Sequence, residues 1–142
     1  GVAAIQPAVS TRGARFPAGA HGGKRIAHWR QVAVAACEQC GRNRVPEVHD
    51  VIELADWLRA RDATRPGIVL DPDAATSIAA LSAPVRAFDL LIGPEGGLTA
   101  DEAARATRAG LDAARMGPRV LRTETASLAA LAALNTLWGD FR

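Results

Sequence analysis

Apolar positions along this chain recur at two different spacings, and the change of spacing marks out the elements. Trp29, Val32, Ala33, Ala36, Cys37 and Cys40 follow one another at steps of three and four, while Arg30, Gln31 and Glu38 fall off that stripe. The pattern predicts a helix that stops at Gly41. Before it, Arg12 to Lys24 is rich in turn residues (Gly13, Pro17, Gly19, Gly22, Gly23) and reads as an exposed loop. Asp50 with Glu53 three residues on resembles a helix start before Ile52, Ala55 and Leu58. Two short apolar runs, Gly67 to Leu70 and Phe88 to Ile92, read as strands cut off by Asp71-Pro72 and Gly93-Pro94. Between them a short alanine-rich helix is expected from Ala74 to Leu81. Thr99 and Glu102 form a capping box for a helix ending at Gly110, and Asp112 to Met116 is a weaker strand. A last helix carries Leu128, Leu131, Leu134 and Trp138 up to Gly139. Strands alternating with helices predict an α/β fold built on a mainly parallel sheet.

Composition narrows the function classes. The chain has 142 residues, enough for one domain, and 49% of them are hydrophobic. A net charge of only +2 argues against a protein that merely coats nucleic acid, yet leaves room for a local basic patch. Many of the cations are arginines, which suit bidentate phosphate and base contacts. No apolar run approaches the roughly twenty residues that span a bilayer, and Gly1 to Ser10 has neither the charged start nor the apolar stretch of a signal peptide. Cys37 and Cys40 make no disulfide framework, which fits a reducing, cytoplasmic setting. A metal or redox role for this Cys-x-x-Cys pair has little support: both cysteines fall on the predicted apolar stripe, no second pair exists, and His21, His28 and His49 are scattered.

Two loops could carry chemistry. Leu91 to Leu98 contains Gly93-Pro94-Glu95-Gly96-Gly97 between a strand and a capped helix, where ligands bind in open α/β sheets. It is neither a P-loop nor a dinucleotide fingerprint, and a tight glycine turn without ligand is an equal reading. The second loop, Met116 to Ala126, sets Arg119, Arg122, Glu124, Thr123 and Thr125 before an apolar helix. Thr123 or Thr125 could simply cap that helix while Glu124 complements its dipole.

Taken together, Gly93-Pro94-Glu95-Gly96-Gly97 and Gly117-Pro118-Arg119-Val120-Leu121-Arg122-Thr123-Glu124-Thr125-Ala126 resemble the cofactor-binding knot of the SPOUT methyltransferases. More narrowly they resemble the small-subunit ribosomal RNA methyltransferase E family, which makes 3-methyluridine in the decoding region of 16S rRNA. The block Glu38 to Val48, the opening Gly1-Val2 to Pro7 and the Thr11-Arg12 turn match that family too. The resemblance implies a C-terminal trefoil knot, S-adenosylmethionine as methyl donor, a homodimer with the knot near its interface, and 16S rRNA as partner within the small ribosomal subunit. It implies that Leu70, Ile92, Gly93, Glu95, Gly97, Met116, Gly117, Leu121 and Ala126 line the cofactor. Arg119, Arg122, Glu124 and Thr125 would supply polar contacts. Arg122, Glu124 and Arg12 become the catalytic candidates, and Arg12, Arg42, Asn43 and Arg44 the RNA contacts. Uracil N3 must lose its proton before it can attack, so a base or a positive environment is needed. Glu124 beside two arginines would be a weakened base, which leaves arginine stabilisation of an anionic uracil as an alternative.

Family members also carry an N-terminal PUA-like RNA-binding domain and a first strand and helix of the methyltransferase domain. Neither precedes Gly1, so the expectation is the C-terminal part of a longer enzyme. Two other readings remain. One is a knotted methyltransferase acting on a tRNA ribose 2′-hydroxyl, whose relatives tend to have asparagine where this chain has Pro94. The other is a non-catalytic RNA-binding or ribosome-assembly module with a vestigial knot, which would not bind the methyl donor.

Overall fold

A computed structural model describes residues 1–17, 20–84 and 87–141, and only the backbone of residues 20 and 21. Every strand pairing in it is parallel. Strands β1 (Ala4–Ile5) and β2 (Ala8–Val9) precede the long helix α1 (Ala20–Cys40). β3 (Glu47–Val48) returns to pair with β1, and β4 (Ile52–Glu53) pairs with β2 and leads directly into α2 (Leu54–Ala60). β5 (Gly67–Leu70), β6 (Asp89–Leu91), α3 (Ala100–Arg108), β7 (Asp112–Ala114) and α4 (Thr123–Trp138) complete the order. Their three strands form a sheet in the order β6-β5-β7, the parallel α/β arrangement that the alternation predicts.

The period of two along β5 divides the core. Val69 pairs with Leu91 and Ala113, and all three face a cluster with Leu54, Leu58, Ala106 and Leu111 from the α2 and α3 side. Ile68 and Leu70 point the other way, toward Leu90, Ala114, Met116 and the α4 residues Leu134 and Trp138. Each fully buried aliphatic side chain contributes about 1.5–3 kcal/mol. At the other end of the sheet, Arg61 leaves α2 with its side chain 2% exposed. It donates to Asp89 at 2.9 Å and to the carbonyls of Arg65 and Ala109.

Several local expectations are corrected. The helix predicted from Trp29 starts at Ala20, so Gly22, Gly23 and Lys24 are helical rather than loop, while residues 18 and 19 of that stretch lie outside the described residues. A glycine disfavours a helix by about 1 kcal/mol relative to alanine. At Gly22, however, a Cβ would meet the Pro17 carbonyl at 2.5 Å and the Phe16 ring at 2.9 Å, so the missing side chain lets residues 16–17 pack on the helix. The inward stripe of α1 runs through buried Ile26 and Cys37 and half-buried Trp29 and Ala33, leaving Val32, Ala36 and Cys40 exposed. Asp50 caps no helix: it pairs with Arg30 at 3.1 Å, and Ile52–Glu53 is a strand. The alanine-rich helix shrinks to a single 3-10 turn, Ile78–Ala80. Arg115 explains why: it donates to the carbonyls of Ala74 and Ala75 and bridges to Ser77, holding that segment extended along β7. Capping at Thr99 and Glu102 is as expected, and Gly41 and Gly110 end their helices at positive φ, 72° and 86°.

Candidate functional site

The three strands of the central sheet run in one direction, so their carboxyl ends share one edge. Leu70 lies beside Ala114 in register, and Val69 beside Leu91. Ile92-Gly93 and Arg115-Met116 therefore leave the sheet next to Leu70. This edge is where ligands sit in open parallel sheets. From β6 the chain makes a tight turn in which the Gly97 N–H donates to the Pro94 carbonyl at 2.8 Å, with Gly97 at φ 68°. A side chain there would be strained by its backbone, although nothing lies within 4 Å of a Cβ. Gly93 differs: its Cβ would press on Leu98 at 3.2–3.3 Å. After β7, Gly117 takes φ 106° with open space around it.

The two glycine loops are joined by one hydrogen bond. The Thr123 hydroxyl donates to the Gly93 carbonyl at 3.1 Å across thirty positions of sequence. It is thereby diverted from capping α4, whose N-cap residue is Arg122 and which has no side-chain cap. The expectation that Thr123 or Thr125 caps this helix is therefore wrong. Glu124 does sit in the first turn, as the dipole reading expected. The first intrahelical bond runs from the Ala126 N–H to the Arg122 carbonyl, leaving the N–H groups of the first turn without a side-chain cap.

The other candidates divide into those the fold brings together and those it does not. Leu70 and Met116 are half-buried against the α4 side of the core. Ile92, Gly93, Gly97, Gly117, Leu121 and Ala126 are half-buried near the same edge, whereas Glu95, Arg119, Arg122, Glu124 and Thr125 are exposed. Glu124 forms no ion pair with Arg119 or Arg122, although sequence proximity suggested one. Arg12 joins the group from far away in sequence, donating to the Gly96 carbonyl at 3.2 Å. Arg42, Asn43 and Arg44 lie just past the far end of α1, whose stretch from Arg25 to Cys40 spans about 22 Å at 1.5 Å per residue. The Arg42 guanidinium rests against Gly1, and the Arg44 carbonyl accepts from the Cys37 thiol.

One acid on the α3 side organises this region. The Glu102 carboxylate accepts from the Thr99 N–H at 2.8 Å and the Thr99 hydroxyl at 3.0 Å, and its other oxygen accepts from the Thr11 N–H at 2.8 Å. Partial burial works to raise its pKa, but these hydrogen bonds outweigh it and hold the carboxyl below its ordinary value. The capping box therefore also anchors the Thr11-Arg12 turn, and through Arg12 the glycine loop.

A family model described as an RNA methyltransferase domain matches residues 1–135. The chain belongs to this family of RNA methyltransferase domains. The solved structure of a ribosomal RNA small subunit methyltransferase E from Neisseria gonorrhoeae, bound to S-adenosylmethionine, is 40% identical. It superposes with a TM-score of 0.90 over 100% of this chain and 58% of that one. A Legionella pneumophila protein solved with the same cofactor is 32% identical, with a TM-score of 0.89 over 96% of this chain and 56% of that one. Among curated relatives, the small subunit methyltransferase E of Buchnera aphidicola (strain APS) is 34% identical over 118 residues, 83% of this chain and 47% of that protein. The Mycobacterium bovis protein of the same name is 38% identical over 124 residues, 84% of this chain and 47% of that protein. The methyltransferase domain thus spans about half the length of the curated relatives it matches. No helix among its described residues is long and apolar enough to cross a membrane.

Beside the glycine loop the domain has a shallow cleft of about 280 Å³ that the sequence reading did not assemble. Its wall includes Arg15, Phe16, Arg25 and Trp29 as well as Gly93, Pro94 and Thr123. Trp29 was read as a core residue and Arg15 as part of a loop. A signal existed in the aromatic and cationic residues spaced along 15–29, but only the fold turns them toward Gly93.

Proposed function

We propose that this chain carries the catalytic part of an S-adenosylmethionine-dependent cytoplasmic enzyme that methylates uridine at N3 in 16S ribosomal RNA, within the small ribosomal subunit. The observation that carries the reading is the joint between the two glycine loops, Thr123 to Gly93, at the carboxyl edge of the parallel sheet. The cofactor-bound relatives of the same fold support the choice of ligand. The residues suit such a cofactor. Gly97 and Gly117 leave open space beside backbone that a side chain would strain, Leu70, Met116 and Leu121 offer apolar surface, and the start of α4 offers uncapped N–H donors. In this reading Leu70, Ile92, Gly93, Glu95, Gly97, Met116, Gly117, Leu121, Thr125 and Ala126 hold the cofactor with Arg119 and Arg122, and the last loop and α4 thread a trefoil knot.

When bound, the cofactor supplies a methyl group made electrophilic by its sulfonium; as the S–CH₃ bond breaks and an N3–CH₃ bond forms, N3 gives up its proton. The protein's part is alignment of N3 and stabilisation of the base as that proton leaves. Arg12, held over the glycine loop, and Arg122 are the cations for that task, with Glu124 as a candidate acceptor. Arg42, Asn43 and Arg44 form a separate RNA contact at the far end of α1. Homodimer formation is supported by Val120 and Leu128, the most exposed large apolar side chains among the described residues, at 79% and 72%.

Calorimetric titration of the chain with S-adenosylmethionine, beside Gly93→Val, tests the proposal. Valine would crowd Leu98 and close the turn. Saturable binding that the variant loses while keeping its circular dichroism spectrum is the expected result. No binding to the domain would overturn the reading.

A further inference from the structure

The cleft beside the glycine loop has a chemistry that the cofactor does not use. Arg25 lies over two rings at once, 5.5 Å from the Trp29 centroid and 6.0 Å from that of Phe16, and the rings are 5.8 Å apart. Neither Arg25 nor Arg15 has a carboxylate within ion-pair distance among the described residues. The rest of the wall explains this: apolar side chains, Ser10 and Thr123 line the cleft, and no Asp or Glu does. Elsewhere Arg30, Arg59, Arg65 and Arg105 each pair with an acid. Here the guanidinium of Arg25, oriented by stacking, stands at a wall that holds no acid and ends on Gly93, Pro94 and Thr123, while Arg15 lies between this cleft and a neighbouring cavity that Glu53, Asp101 and Glu102 line.

Flat aromatic surface with a guanidinium plane and unneutralised positive charge is the equipment for an unstacked nucleobase. The volume lies near the lower end of small-ligand pockets, roughly 300–1,000 Å³, and suits one base better than a helix of RNA. We infer that this cleft receives the target pyrimidine, with Arg25, oriented by Phe16 and Trp29, facing the base, and Arg15 adding to the positive field. The inference rests on the methyltransferase reading and deepens it. A cation at Arg25, on a wall without carboxylates, favours the form of uracil that has lost its N3 proton. The cation for that step then comes from the start of α1 as well as from the Arg12 and Arg122 loops. Pro94 and the Gly93 carbonyl, held back by Thr123, form the boundary between the base and the glycine loop.

The test uses the full chain with uridine 5′-monophosphate as probe and ribose 5-phosphate as control, which keeps the phosphate and lacks the base. Binding is read by NMR from the Trp29 indole N–H, assigned by its loss in Trp29→Phe. Uridine monophosphate should shift that resonance, and Arg25→Gln should weaken the interaction about tenfold with Arg25→Lys in between. Arg25 is exposed, so these variants should fold, and unchanged S-adenosylmethionine affinity would verify it. In methyl transfer to RNA, Arg25→Gln should move the rise of kcat/KM to higher pH, because the uracil loses its N3 proton less readily. A merely structural Arg25 would leave that profile in place. Equal uridine monophosphate affinity in Arg25→Gln, or equal shifts from ribose 5-phosphate, would overturn the inference. If S-adenosylmethionine fails to bind while uridine monophosphate still shifts Trp29 through Arg25, it is the methyltransferase reading that falls and not the base site.

Discussion

Replacing Glu102 with alanine should damage two distant parts of the domain at once. The side chain accepts two hydrogen bonds from Thr99 within the α3 capping box and one from the Thr11 N–H, 91 positions away in sequence. The Thr99 hydroxyl still accepts from the backbone N–H of residue 102, but losing the carboxylate half of the box costs about 1 kcal/mol. The Thr11 bond is charge-assisted but exposed, so water replaces part of it, and its loss adds about another 1 kcal/mol. Together they give about 2 kcal/mol, which for a urea m-value of about 2 kcal/mol/M moves the midpoint by about 1 M. Glu102→Gln keeps one good acceptor and should fall between. The pH dependence has a definite sign. The folded carboxyl lies below its ordinary value of 4.5, so its contribution is complete above that value and disappears as pH falls through the lowered folded one. The gap between wild type and Glu102→Ala should therefore be wide at neutral pH and close under acid conditions. A gap below about 0.2 M at pH 7, against the slope expected, would mean that the carboxylate is not the anchor of the Thr11-Arg12 turn.

Two further substitutions probe the joints on either side of the sheet. Arg61→Ala removes a buried guanidinium and leaves Asp89, 20% exposed, with only the longer 3.4 Å contact to Arg65; a loss of about 3–5 kcal/mol is expected in urea unfolding. A loss under about 1 kcal/mol would show that Arg65 and water take over that carboxylate. Thr123→Val keeps the shape but deletes the donor to the Gly93 carbonyl, which should cost about 1 kcal/mol and weaken S-adenosylmethionine binding about fivefold by calorimetry. Unchanged affinity would separate that bond from the cofactor site.

What could be read from the sequence depended on how far each element's signal extended along the chain. β5 and β6 were legible because several consecutive apolar residues sit between turn residues, and α3 because its cap and its glycine stop are local. β1 to β4 have two residues each, too few for any period, and their pairing depends on partners more than forty positions away. The start of α1 was hidden because glycine at residue 22 speaks against a helix, and only the approach of Phe16 and Pro17 gives that glycine its purpose. The same limit governs the site. Both glycine loops announce themselves by composition, but the bond that joins them looks in sequence like an ordinary helix cap. Glu102 was found as a capping residue for the same reason, while its second oxygen, directed to Thr11, was not. Local chemistry in this domain is thus legible wherever a group bonds to its own neighbourhood. It goes unseen where a familiar local residue is recruited across the fold. Thr123 and Glu102 are both of that second kind, and each lies where a loop must be held for the site to keep its shape.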